Sequence, residues 1–64
     1  MRQFLKEIVN VMYFDTRIIL IDSDIEVYAG LLGDLPLKFY KEEKTVKRIK
    51  LAQRGDLIYE VIEV

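Results

Sequence analysis

Neither cysteine nor histidine occurs anywhere in the 64 residues. Without cysteine there is no disulfide and no thiolate metal site. Without histidine the chain lacks the commonest transition-metal ligand and the usual proton carrier near neutral pH. Proline is nearly absent too, with Pro36 as its single instance beside three glycines. No apolar run approaches the roughly 18 residues needed to cross a bilayer. The N-terminal stretch MRQFLKEIVNVMYF is interrupted by Lys6, Glu7 and Asn10 and offers no small-residue cleavage site. No signal peptide is therefore expected, and the expected setting is the cytoplasm.

What is present is largely apolar. Hydrophobic residues make up 52% of the chain, a high share for one short domain spanning 1–64. A domain of this size buries only about 60% of its unfolded surface. Disulfides, metals or oligomerisation usually assist at this scale. With thiol and imidazole chemistry excluded, self-association is the expected aid, as a homodimer or higher homo-oligomer. No cofactor or metal is expected.

The net charge of −1 argues against wholesale nucleic-acid binding, but it hides an uneven distribution. Residues 38–54 hold seven bases against two acids, a net +5. Residues 1–37 and 55–64 each carry a net −3.

Periodicity predicts an α+β domain. Over residues 1–12, Met1, Phe4, Leu5, Ile8, Val9, Val11 and Met12 share one side of a helical wheel, with the polar residues on the other. A first strand, TRIILID (16–22), is apolar without alternation and so reads as buried on both faces. Asp22-Ser23-Asp24 supplies a turn, and IEVYAG (25–30) returns as the second strand. After a bend, TVKRIKLAQ (45–53) and LIYEVIEV (57–64) form a second hairpin about Gly55. In the last strand Leu57, Tyr59 and Val61 face one way and Ile58, Ile62 and Val64 the other. The expected architecture is an N-terminal amphipathic helix packed on a four-stranded antiparallel sheet, in the order α-β-β-β-β. One short helix covers only one sheet face. The second is expected to be covered by residues 31–40, by another copy, or by a target.

Candidate sites are few. Asp22, Asp24 and Glu26 lack the glycine and terminal glutamate of a calcium loop, and read as a solvated hairpin tip. Arg54-Gly55-Asp56 matches an adhesion tripeptide, yet a tight turn between strands selects the same residues. Ser23, Thr16 and Thr45 have no histidine base, and no spacing selects a pair of carboxylates, so no enzyme is expected. Lys44, Lys47, Arg48, Lys50 and Arg54 are the candidate phosphate-tracking residues of a nucleic-acid or nucleotide binder, although lysines also guard edge strands.

The most informative stretch is GLLGDLPLKFY, residues 30–40. Gly30 and Gly33 permit backbone angles closed to other residues. Pro36 pushes Leu35 out of the helical region and can start a single helical turn. Together with Tyr28, the side chains of Leu31, Leu32, Leu35, Leu37, Phe39 and Tyr40 either close the core or form a partner-binding surface.

From Thr16 onward, over about three quarters of the chain, the pattern resembles small proteins of phages and prophages of low-GC Gram-positive bacteria. In those a hairpin leads into a stretch like Tyr-x-Gly-x-x-Gly-Asp followed by Leu or Ile and then Pro, and two more strands follow. The matching residues are Tyr28, Gly30, Gly33, Asp34, Leu35 and Pro36. The resemblance implies a mobile-element origin and a bacterial host, and implies no biochemical activity. The expected function is a non-enzymatic accessory protein that self-associates and binds a host protein, such as a defence or regulatory factor. The alternatives are the nucleic-acid binder and a phage structural or assembly component.

Overall fold

The computed structural model describes residues 3–41 and 43–64. The chain forms α1 (Leu5–Val11), β1 (Arg17–Asp22), β2 (Ile25–Leu31), 3-10 turns at Leu32–Asp34 and Leu37–Phe39, then β3 (Arg48–Arg54) and β4 (Leu57–Glu63). One sheet contains all four strands, in the order β2-β1-β4-β3.

Both expected hairpins form, and their turns have different geometry. Ser23 and Asp24 both have positive φ, 52° and 67°, as a two-residue type I′ turn requires. In the second turn Gly55 has φ 60°, while Asp56 is not among the positive-φ residues. Glycine at the first central position is the signature of type II′.

The sheet is mixed rather than purely antiparallel. β1 and β4 run parallel, with Ile18 beside Glu60, Ile19 beside Val61 and Leu20 beside Ile62. These are the two strands whose apolar residues occupy both faces, and central positions shield both faces. Their common direction is set by residues 32–47. That segment leaves β2 at one end of the sheet and delivers the chain to β3 at the other. Along the way Lys44 Nζ reaches Asp22 Oδ2 at 2.7 Å, and the Lys47 amide donates to the Glu63 carbonyl.

The helix is shorter than the expected 1–12. Met1 and Arg2 lie outside the described residues. Gln3 to Leu5 pair with the crossover instead of extending the helix: the Leu5 amide donates to the Lys44 carbonyl and the Val46 amide to the Gln3 carbonyl, both at 2.8 Å. Phe4, with ψ 148°, is the N-cap, and its amide donates to Glu7 Oε1 at 3.1 Å. The third strand likewise begins at Arg48 rather than Thr45, because Thr45 bridges to Phe4.

Register separates the two faces. On the first, Ile18, Leu20, Ile62 and Val64 pack with Leu5 and Ile8 of α1 and with Leu32 and Leu35 of the crossover. Leu32, Leu35, Phe39 and Tyr40 thus cover the helix's own face and not the second one. The second face holds a smaller apolar centre, Ile19 and Val61, only 2% and 3% exposed. By register Glu26, Arg48, Lys50 and Arg54 flank it on the edge strands. Arg54 joins Glu26 in a bidentate ion pair, with Nη1 to Oε2 at 3.2 Å. The pair runs from one edge strand to the other. A flat sheet would hold those strands about 14 Å apart, so the right-handed twist that lifts diagonal corners toward each other is what lets them meet.

Candidate interaction surface

The crossover is stitched to the turn between α1 and β1. The Leu32 amide donates to the Thr16 carbonyl at 2.8 Å, and the Gly33 amide to the Phe14 carbonyl at 2.9 Å. Gly33 suits this close approach: an added Cβ would lie 3.2 Å from the Phe14 carbonyl oxygen and 3.3 Å from its Cβ, tight enough that Phe14 would have to shift. Beyond it, the 3-10 turn Leu37–Phe39 starts immediately after Pro36, which presets the backbone of its cap.

The seven residues expected to form either core or partner surface divide between those roles. Leu32 and Leu35 are buried in the core. Tyr28, Phe39 and Tyr40 are partly buried and pack against it. The Tyr28 hydroxyl donates to the Leu31 carbonyl at 2.6 Å, and its ring lies 6.3 Å from that of Phe39. Burial raises the Tyr28 phenol above its ordinary pKa, and the Asp34 charge adds to the shift. Lys38 Nζ stands 5.1 Å from the centre of the Phe39 ring. Leu31 and Leu37 remain exposed, Leu37 at 61%.

Two further exposed aromatics neighbour these residues and were not among the candidates. Tyr13 and Phe14 are 81% and 82% exposed, immediately after the helix. The available signal was that both fall on the polar side of the helical wheel. Phe14, Asp15, Leu31, Gly33 and Asp34 line an open, mainly apolar groove whose lining includes two acidic residues.

A second apolar area lies over β3. Ile49, Leu51 and Ile58 share the helix-bearing face by register but lie beyond its cover, and Leu51 is 71% exposed.

The basic residues are dispersed. Arg54 is paired with Glu26, Arg48 Nε with Glu63 Oε2 at 2.5 Å, and Lys44 with Asp22. Arg48, Lys50 and Arg54 share the second face, whereas Lys44 reaches the first. A phosphate backbone would have to displace three of these five from carboxylates. Each pair leaves a mark on its acid. Asp22 titrates below its ordinary value, chiefly through the Lys44 hydrogen bond, and Glu26 and Glu63 do so through Arg54 and Arg48. Asp22 and Glu26 therefore turn to opposite faces, and among the described residues no group of three acidic side chains converges as a metal site. No described helix is long and apolar enough to cross a membrane.

No protein-family model, curated protein or solved structure matches the chain.

Proposed function

We propose that this chain is a non-enzymatic accessory protein of phage or mobile-element origin that self-associates and binds a protein of its bacterial host, a defence or regulatory factor being the class of target. The observation that carries this reading is the exposed apolar set Tyr13, Phe14, Leu31 and Leu37. These side chains stand outside a core already closed by Leu32 and Leu35. Phe14 and Leu31 line the groove, and exposed aromatic and aliphatic groups are what a protein interface enriches. Asp15 and Asp34 beside the groove favour a target segment carrying lysine or arginine.

Affinity capture from a bacterial lysate tests the target half. The wild-type chain retains a host protein at low salt, and Phe14→Asp or Leu37→Asp does not. Retention by the variants as strongly as by wild type places the contact elsewhere, and no retention by the wild-type chain removes the reading. Light scattering across micromolar to millimolar concentration tests self-association separately.

A further inference from the structure

We infer that self-association runs through the β3 edge, which pairs antiparallel with β3 of a second copy about a two-fold axis at Leu51. This rests on the self-association in the reading above and names its interface.

The two edges of the sheet are not equivalent. β2 is blunted by a register shift opposite Leu20 and Ile21, which kinks its outer side. β3 keeps unbroken register over seven residues, Arg48 to Arg54. A two-residue turn closes on a hydrogen-bonded pair, here Arg54 and Leu57. Alternation then directs the amides and carbonyls of Ile49, Leu51 and Gln53 outward, away from β4. Charged side chains usually guard such an edge. Here Arg48 and Arg54 are drawn over the second face by Glu63 and Glu26. On the other face the edge presents Ile49 and Leu51.

Side-chain matching then selects the register. Pairing about Leu51 sets Leu51 against Leu51, Ile49 against Gln53 and Lys50 against Ala52 of the second copy. It sets Arg48 against Arg54, each already neutralised within its own chain. A two-residue slip in one direction puts Lys50 against Lys50, and like charges directly opposite destabilise a strand pair. A slip in the other direction sets Lys50 against an Arg54 already paired with Glu26, and is disfavoured because it replaces the Leu51–Leu51 contact by Leu51 against Gln53. The chosen register also joins the exposed Ile49, Leu51 and Ile58 of both copies into one apolar strip on an eight-stranded sheet. A strand pair of this length buries less than the roughly 800 Å² per partner of a standard interface, so the dimer is concentration-dependent, in the micromolar range or weaker.

The test uses the full chain, which has no native cysteine to interfere. Wild type shows a monomer–dimer equilibrium by sedimentation, and Leu51→Glu shifts it at least tenfold toward monomer with unchanged circular dichroism. Leu51→Cys is captured as a covalent dimer by a short bis-maleimide, and Asp24→Cys at the far turn is not. If wild type dimerises while Leu51→Glu dimerises equally and Leu51→Cys is not captured, the β3 interface is overturned and self-association by another face stands. A wild-type chain that stays monomeric to millimolar concentration overturns both.

Discussion

Arg54 and Glu26 lie on opposite edge strands, yet a bidentate ion pair joins them across the face that holds Ile19 and Val61. The pair is separate from the Asp22–Lys44 and Glu63–Arg48 ion pairs. Because both partners are largely exposed, its effect is on the geometry of the sheet more than on bulk stability. Arg54→Ala is expected to shift the side-chain methyl NMR signals of Ile19 and Val61 while leaving those of Leu20 and Ile62 nearly unchanged. Arg54→Lys, which keeps the charge but loses the fork, restores the wild-type signals only in part. Equal methyl shifts on both faces would show that the pair does not hold the second face.

Acid should loosen all three ion pairs. Asp22, Glu26 and Glu63 all titrate below their ordinary values of 3.8, 4.5 and 4.5 in the folded chain. A carboxyl lowered on folding contributes stability that is fully present above its unfolded pKa and is lost as pH falls through the folded one. The urea midpoint is therefore expected to be flat above about pH 5 and to drop below about pH 4.5. Glu26→Gln should flatten part of that drop, measured as the midpoint difference between pH 7 and pH 3. An unchanged acid slope in Glu26→Gln would contradict the assignment.

The crossover leucines separate core from surface. Leu35→Ala is expected to cost about 2–5 kcal/mol, as buried leucines do, out of a total on the order of 3–10 kcal/mol for a domain of this length. Leu37→Ala should stay within about 0.5 kcal/mol. Urea unfolding checks both, and equal costs would refute the division between them.

The two turns should respond in opposite directions. Ser23 and Asp24 hold positive φ without being glycine, at about 1–2 kcal/mol per residue for side chains in that region. Replacing the pair by Asn-Gly should raise the melting temperature. Gly55→Ala, at φ 60° with open space around its missing Cβ, should lower it by conformational strain without a clash. A Gly55→Ala variant as stable as wild type would argue that this turn relaxes.

The hairpins, the turns and the double-sided burial of β1 and of Val61 and Ile62 late in β4 were legible because each rests on residues close in sequence, whereas Leu57 and Ile58 at the start of β4 stay exposed. Asp22-Ser23-Asp24 and Gly55 mark turns, and the run Ile18 to Ile21 marks a strand with no solvent face. The parallel sense of β1 and β4 was not legible. Two hairpins can dock either way, and the choice lies in a 32–47 crossover that carries no repeating pattern. The same crossover explains why Leu32 and Leu35 separate from Leu37: a 3-10 turn re-aims neighbours by steps that neither a period of two nor of 3.6 describes. The Arg54–Glu26 contact spans 28 residues and depends on sheet twist, which side-chain spacing does not encode. The exposure of Phe14 was readable in outline from the helical wheel, and its groove was not.

The parallel pair also orders events in time. Ile18 and Glu60 are neighbours in space and 42 residues apart in the chain. The first hairpin can assemble early, but Ile19 and Leu20 then present an open flank until the last strand arrives to lie against it. Contacts this distant slow folding, since the intervening chain must be closed into a loop before they form. During that interval the half-built sheet is a template for any other strand nearby, so the kinetic hazard of this domain lies in its middle, not at its rim.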